Sequence, residues 1–285
     1  MSATVQGPAR PVTRALPGTL ATGLRRAAFE IRGYFRATDT VFFTFLFPVM
    51  MLVIFSAAFS SQGTLGALPD GSGGVSVSTY YLTGMLAAGM LLSGTQNLAI
   101  DIAVERSEGT LARLGASPIS PVSYFLGKFG QVFATGTAQA ALLLLVARFA
   151  FGVELPTEPA RWLTFAWVFV LGTAVSALLG VALSAVPRTG KSATAVVLPP
   201  VLILQFISGV YLQFSALPEW LQHIASVFPL KWMAQGMRAA FLPDGFAVAE
   251  PGGSWNLSLV AVVLAGWLVA GLVLSLLTFR WTRRS

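Results

Sequence analysis

Residues 257–279 read LSLVAVVLAGWLVAGLVLSLLTF, a stretch that has no charged side chain and is followed directly by Arg280. A bilayer core about 30 Å thick is crossed by about 20 apolar residues in a helix. Because a backbone in lipid must satisfy its own hydrogen bonds, this stretch predicts a transmembrane helix.

Five other stretches have the same character, so the sequence predicts an all-α integral membrane protein with six transmembrane helices. Lys128 and Arg148 flank the third of these spans. A helix of that length is about 30 Å long, which would place the two charges at opposite interfaces. The expected spans are residues 40–59, 80–102, 128–148, 162–186, 193–211 and 257–279.

The composition agrees with a membrane protein. The 285 residues are 55% hydrophobic and only 10% charged, with a mean hydropathy of +0.74. Soluble domains have about 25% charged residues, so a cytosolic enzyme and a disordered chain are both excluded. The chain has no Cys and a single histidine, His223, so we expect no metal site. The net charge of +7 does not indicate nucleic-acid binding, since Lys and Arg separate the apolar runs instead of sharing one polar face.

The distribution of basic residues predicts the orientation. Fourteen of the 18 Lys and Arg residues fall in segments on one side of the expected spans. Positively charged loops stay in the cytoplasm, so both termini are expected there. A cleavable signal peptide is the alternative for the N-terminus, but its basic region would be far longer than usual. The four basic residues on the other side are Arg148, Arg161, Lys231 and Arg238.

Three segments outside the spans have distinct compositions. Residues 1–18 contain three prolines and predict a disordered tail, which leaves 19–285 as the transmembrane domain. Residues 19–36 place apolar side chains on one helix face and arginines beside it, typical of a helix in the inner membrane interface; an ordinary basic flank is the alternative. Residues 60–79 are rich in Gly and Ser and predict a flexible connector.

The loop after the second expected span is the most informative segment. Residues 105–118 read ERSEGTLARLGASP, which predicts one short helix with Leu111 and Leu114 on one face and an end near Pro118. Leucines displayed beside charges favour docking into a groove of another protein. The alternative is a solvated loop whose charges only set the topology. The candidate coupling residues are Glu105, Arg106, Glu108, Gly109, Thr110, Leu111, Leu114 and Pro118.

The segment before the last span is too apolar for a solvated loop and is broken by prolines. It predicts two short helices, at about 218–227 and 230–241, that dip into the outer leaflet without crossing it. Trp220 and Trp232 are expected at the interface. Irregular backbone at that depth must be covered by protein or line water, which predicts the outer wall of a cavity.

Other motifs in the spans carry weaker signals. Residues 185–192, AVPRTGKS, approach a phosphate-binding loop but lack its first Gly and the surrounding strand–loop–helix unit, so no nucleotide site is expected. Asp101 could serve in a proton relay, or it could have only a structural role at the end of a helix. Polar and flexible side chains in the spans fit a cavity for apolar ligands and fit plain helix packing equally well. These possible cavity residues are Met85, Met90, Gln96, Asn97, Gln205 and Phe206.

Taken together, these segments resemble the permease subunits of the ABC-2 type exporter family. The family pattern E-x-x-x-G-T-L-x-x-L-x-x-x-P is matched across residues 105–118. A second pattern, P-L-x-W-x-x-x-x-x-R, is matched by Pro229, Leu230, Trp232 and Arg238. Ala112 stands where the family often has an acid, and Phe228 stands where Asn often precedes the proline.

The resemblance implies a function divided between subunits. The permease would consist of an interfacial helix, six spans, a cytoplasmic coupling helix and external re-entrant helices. It would not be an enzyme, and it would have no catalytic residue, cofactor or metal. The coupling loop would dock on a separate ABC ATPase that binds ATP and Mg²⁺. A second permease copy or paralogue would complete the path through the plasma (inner) membrane.

Drugs, lipids and glycans would be the candidate substrates of such an exporter. Two other functions stay open at this point. A proton-coupled secondary transporter would need inverted repeats and an ionisable site at the bilayer midplane. A structural membrane anchor of a complex would need the docking loop but no cavity.

Overall fold

The computed structural model describes residues 18–59, 64–65 and 74–281. The expected disordered tail therefore lies outside the described residues, apart from Gly18, and so does most of the expected connector. The described part is mainly helical. Its α-helices are α1 (Thr19–Arg36), α2 (Thr38–Ala58), α3 (Val77–Leu91), α4 (Leu98–Ser107), α5 (Thr110–Gly115), α6 (Pro121–Phe151), α7 (Pro159–Leu183), α8 (Gly190–Ile207), α9 (Glu219–Val227), α10 (Pro229–Phe241) and α11 (Leu257–Thr278).

Five of these helices are long and apolar enough to cross a membrane: α2, α6, α7, α8 and α11. They correspond to five of the six spans expected from the sequence. Few of the residues in α2, α8 and α11 are buried inside the protein, so most of their apolar surface faces outward. An apolar outer surface is what lipid requires, and the structure supports an all-α integral membrane protein.

The second expected span is divided by a π-helical turn. Helix α3 has 15 residues, the turn Leu92–Asn97 follows, and α4 continues for 10 residues with the backbone at both junctions still helical. A Cβ on Gly180 of α7 would lie 2.1 Å from the carbonyl oxygen of Gly94, so both glycines allow this close contact. Thr95 Oγ1 also donates to the carbonyl of Ser176 at 3.0 Å. Single π turns of this kind often occur at functional sites.

Helix α1 packs along the first half of α6. A Cβ on Gly127 would lie 2.4 Å from Cγ of Arg26, and one on Gly130 would lie 2.8 Å from Cβ of Ala27. The opposite face of α1 exposes large apolar side chains, as expected for an interfacial helix. Arg26, one of the arginines beside the apolar face, packs against α6. The exposed apolar side chains are Leu20, Leu24, Phe29 and Phe35.

Helices α9 and α10 match the two short helices predicted before the last span. Every residue of α10 is buried, since it packs against α3, α7 and α11. Trp220 on α9 is exposed, but Trp232 on α10 is buried inside the protein, so the expected interfacial position of Trp232 is wrong. Trp232 is buried because α10 packs among α3, α7 and α11 instead of lying at the surface of the bundle.

The two ends of the bundle differ. Trp281, after α11, contacts Gly115 of α5 and Tyr124 of α6, and α1 also lies there. We call this end of the bundle the α5 end. The opposite end contains α9 and α10, and we call it the α10 end. At the α10 end, strands β1 (Thr64–Leu65) and β2 (Val75–Ser76) form a short antiparallel ribbon within the expected flexible connector.

Candidate functional site

A buried ion-pair cluster joins three helices at the α5 end. Lys128 of α6 is 0% exposed, and its Nζ donates to Glu30 of α1 at 3.1 Å and to Glu105 of α4 at 2.7 Å. It also donates to Asp101, one turn before Glu105 on α4. Lys128 and Arg148 lie toward opposite ends of α6, in line with the expected order along the span, but three carboxylates hold the Lys128 ammonium inside the protein, which the sequence did not predict.

Two further side chains complete this Lys128 cluster. Arg26 pairs with Glu30 one turn along α1 and lies 3.6 Å from Glu105. The Tyr124 hydroxyl donates to Glu105 at 2.7 Å. A buried ion group is tolerated when each charge is paired and hydrogen-bonded, and it becomes costly once one partner is removed.

The three carboxylates of the cluster are also close enough to hold a metal ion. Oxygen atoms of Glu30, Asp101 and Glu105 lie within 4.8 Å of one another. Lys128 donates to all three of them, so the cation at this position is an ammonium group. Asp101 is thus an ion-pair partner that links α4 to α6, and this arrangement favours the structural role over the proton relay.

The predicted coupling helix is α5. It follows Gly109, whose left-handed backbone (φ 74°, ψ 8°) turns the chain sharply after α4. This conformation is favourable for glycine because it has no Cβ. Arg113 Nη2 donates to Thr110 Oγ1 at 3.1 Å along the outer side of α5. The residues exposed around this helix are Ser107, Glu108, Ala112, Arg113, Gly115, Ala116, Ser117 and Pro118.

The leucines of α5 face the bundle instead of solvent. Leu111 is 0% exposed and packs in an apolar cluster with Ile102 and Val181, while Leu114 is half-buried against the same cluster. The expectation that Leu111 is displayed for docking is therefore wrong. The amphipathic pattern is real, but the apolar face is covered by this chain's own helices.

Two more candidate coupling residues also have inward contacts. Arg106 Nη1 donates to the carbonyl of Ser184 at 2.6 Å, which ties α4 to the end of α7. Glu105 belongs to the Lys128 cluster. These two contacts fix α4 to α6 and α7, and the short connection through Gly109 joins α5 to the end of α4. Glu108, Ala112 and Arg113 are exposed.

The residues of the second family pattern are buried at the α10 end. Arg238 is 0% exposed, and its Nη2 donates to Glu250 at 3.2 Å while its Nη1 donates to the carbonyl of Gly209 at 3.3 Å. Pro229 is the first residue of α10, where its missing N–H costs nothing. Leu230 is fully buried, and Trp232 Nε1 donates to Ser226 at 2.7 Å. All four residues therefore hold α10 in place.

Removing either partner of the buried pair at the α10 end should destabilise the protein strongly. Arg238→Met or Glu250→Gln leaves an unpaired buried charge, which costs about 3–5 kcal/mol. The double variant should recover part of that loss. Thermal unfolding in detergent measures the effect. Glu158→Gln removes an exposed carboxylate that pairs with Arg161 and should change stability by under about 1 kcal/mol; an equal loss in this control would contradict the interpretation.

A cavity of about 790 Å³ opens beside the Lys128 cluster. It lies between the end of α1, the first half of α2, the π turn with α4, and α8. Of the expected cavity residues, it brings together Gln96 and Asn97. The complete lining is Glu30, Gly33, Tyr34, Ala37, Asp39, Thr40, Phe43, Thr44, Phe47, Leu92, Gln96, Asn97, Ile100, Asp101, Val104, Gln131, Thr194, Leu198 and Leu202.

The other expected cavity residues lie elsewhere. Met85 and Met90 are part of the packed core of α3. Gln205 is buried and accepts a hydrogen bond from the Tyr211 hydroxyl, and Phe206 is exposed on α8. None of these four lines the cavity beside the Lys128 cluster.

Sequence reasoning missed the contribution of α2. Asp39, Phe43 and Phe47 recur every four residues, a spacing that places them on one helix face. Thr44 on the same helix accepts a hydrogen bond from Asn97 Nδ2 at 3.0 Å, which connects this wall to the π turn. Tyr34 of α1 also lines the cavity, and burial raises the pKa of its hydroxyl, so it stays a neutral donor. The spacing in α2 was the signal available in the sequence.

Comparison with known proteins supports a transporter. The sequence profile described as "ABC-2 family transporter protein" matches residues 67–277. The probable doxorubicin resistance ABC transporter permease protein DrrC of Mycobacterium tuberculosis (strain ATCC 25618 / H37Rv) is 26% identical over 218 residues, which cover 74% of this chain and 71% of DrrC.

Two other relatives match over shorter segments. The linearmycin resistance permease protein LnrN of Bacillus subtilis (strain 168) is 28% identical over 164 residues, which cover 58% of this chain and 39% of LnrN. The probable multidrug ABC transporter permease YbhR of Escherichia coli (strain K12) is 24% identical over 150 residues, 51% of this chain and 39% of YbhR. The family profile spans more than half of the chain, and the part that the structure describes has five helices able to cross a membrane. The chain therefore belongs to the ABC-2 transporter family as a multi-pass membrane permease.

Proposed function

We propose that this chain is the membrane-spanning subunit of an ATP-driven exporter of amphipathic, drug-like molecules. A separate ABC ATPase, which binds ATP and Mg²⁺, would dock on the exposed face of α5. The observation that carries the proposal is the position of α5. Its outer face is exposed, its inner face packs on the bundle through Leu111, and it directly follows α4, which the Lys128 cluster joins to α1 and α6.

The α5 end faces the cytoplasm in this proposal. The basic side chains exposed there, including Arg25, Arg32 and Arg36 on α1, agree with the positive-inside rule. The helical path from α3 through the π turn to α4 would be the sixth crossing. Helices α9 and α10 would then enter the outer leaflet without crossing it, and both termini would be cytoplasmic.

Movement would pass from α5 to the cavity through the cluster. A displacement of α5 would pull α4 through the short connection at Gly109, and α4 carries Asp101, which lines the cavity and pairs with Lys128. Because Glu30 of α1 pairs with the same ammonium, α1 would move with it. ATP binding by the partner could in this way change the shape of the cavity between α2, α4 and α8.

The second permease would lie against the outward-facing apolar sides of α2 and α8. The residues exposed there include Met50, Val53 and Ile203. The names of the relatives support the substrate class: one is called a doxorubicin resistance permease, one a linearmycin resistance permease and one a multidrug permease.

Reconstitution with a partner tests this function. The chain is purified gently from its native membrane, and the ATPase that accompanies it is identified and placed with it in lipid vesicles. We expect dye transport that requires ATP and stops when the ATPase carries an inactivating change. Transport by vesicles that contain this chain alone and a proton gradient would contradict the proposal and favour a secondary transporter. ATPase binding without any transport would favour a structural anchor.

A further inference from the structure

The cavity beside the Lys128 cluster has an acidic lining. Three of its residues carry carboxylates, namely Glu30, Asp39 and Asp101, whereas its lining includes no Lys, Arg or His. Arg26 and Lys128 pair with Glu30 and are not part of the lining. The side chains that line the cavity therefore carry negative charge only.

The remaining lining is suited to an apolar body. Phe43 and Phe47 of α2 form one side, Leu198 and Leu202 of α8 form another, and Ile100 of α4 lies between them. Drug-sized ligands occupy pockets of about 300–1,000 Å³ with apolar walls and a few polar groups. At about 790 Å³ the cavity has this size. Aromatic faces near carboxylates also attract cations.

One side-chain atom at the cavity is an unused acceptor. Gln96 Oε1 is buried and has no hydrogen-bond partner within residues 18–59, 64–65 and 74–281. A buried polar atom without a partner is costly, and an N–H donor on a ligand would satisfy it. The carboxylate of Asp39, in the first turn of α2, lies on the same lining.

We infer that this cavity binds amphipathic cations, with Asp39 as the residue that selects for positive charge. The ligand would place an aromatic or aliphatic body between Phe43 and Leu198, and an ammonium or iminium group toward Asp39 and Gln96. In a site partly shielded from water the carboxylates favour a cation over an anion of the same shape. The inference rests on the proposed export function for its biological meaning, but the binding itself requires neither ATP nor a partner.

Two dyes with the same xanthene ring system test the charge preference. The full chain is placed in nanodiscs of zwitterionic lipid, and binding of cationic rhodamine 6G and anionic fluorescein is measured by fluorescence anisotropy. We expect rhodamine 6G to bind at least about tenfold more tightly than fluorescein, the difference that one charge contact provides. Equal affinity for the two dyes would overturn the inference.

Substitution of Asp39 tests the residue. Asp39→Asn should weaken rhodamine 6G binding about tenfold, and Asp39→Glu should retain most of it. Glu219→Gln is the matched control, because Glu219 is also an exposed acid in the first turn of a helix, but at the α10 end. An unchanged affinity in Asp39→Asn, or an equal loss in Glu219→Gln, would overturn the assignment.

The binding and transport results can be told apart. If vesicles with the ATPase export both dyes equally, the export function stands and the charge selection fails. If rhodamine 6G binds through Asp39 but no ATP-driven transport occurs, the site stands and the proposed function fails.

Discussion

Lys128→Met is expected to lower the free energy of unfolding by about 3–5 kcal/mol and to abolish ATP-driven transport. Lys128 is fully buried, and its ammonium is the shared partner of Glu30, Asp101 and Glu105. Without it, three carboxylates from two helices face one another with only Arg26 nearby. Their repulsion would separate α1 and α4 from α6.

Two measurements check this result. Thermal unfolding in detergent reports the stability, and dye transport at a temperature where the variant is still folded reports the coupling. Arg148→Met is the matched control, because Arg148 is exposed near the opposite end of the same helix. We expect that control to change stability by under about 0.5 kcal/mol.

A second variant separates charge from packing. In Lys128→Met/Glu105→Gln one of the unpaired carboxylates is neutralised, so we expect part of the stability to return. If the double variant is less stable than Lys128→Met, the cluster does not act through its charges. Normal transport by folded Lys128→Met would show that the cluster plays no part in coupling.

The largest effect on assembly is expected at the exposed face of α5. Glu108→Lys with Arg113→Glu reverses two exposed charges while leaving the buried face intact. Reversed charges at a docking surface slow association and cost several kcal/mol against the original partner. We therefore expect the ATPase to be lost during affinity purification, while the unfolding temperature of the permease stays unchanged.

The buried side of α5 provides the contrast. Leu111→Asp places a carboxylate in the apolar cluster around Ile102 and should destabilise the permease itself. The two variants should therefore have different effects. Glu108→Lys/Arg113→Glu should lose the ATPase without losing stability, whereas Leu111→Asp should lower the stability of the permease itself. Co-purification of the ATPase with Glu108→Lys/Arg113→Glu in normal amount would rule out docking on this face.

The sequence was sufficient for the features that depend on local composition. Apolar length predicted the spans found as α2, α6, α7, α8 and α11, and prolines with apolar runs predicted α9 and α10. The loop at 105–118 predicted α5 within a few residues. Each of these follows from one segment read alone, because helix formation in lipid is governed by the segment's own residues.

The direction of side chains could not be deduced in the same way. Leu111, Trp232 and Lys128 were expected at an outer surface or an interface, and each is buried. A periodic pattern indicates that a helix has an apolar face, but it does not indicate whether lipid, a partner or a neighbouring helix covers that face. The partners that bury them include residues distant in the chain: Glu30 of α1 pairs with Lys128, and Val181 of α7 shares the apolar cluster of Leu111.

By itself, the sequence determined that this is a helical membrane protein, roughly where most of its apolar helices lie, and which family its loop resembles. Only the tertiary structure decided that Glu30, Asp101 and Glu105 meet one lysine and that the acidic cavity lies beside them. The length of an apolar segment depends only on residues that are consecutive in the chain. A charge cluster, in contrast, depends on how three helices approach one another, and packing between distant segments sets that approach.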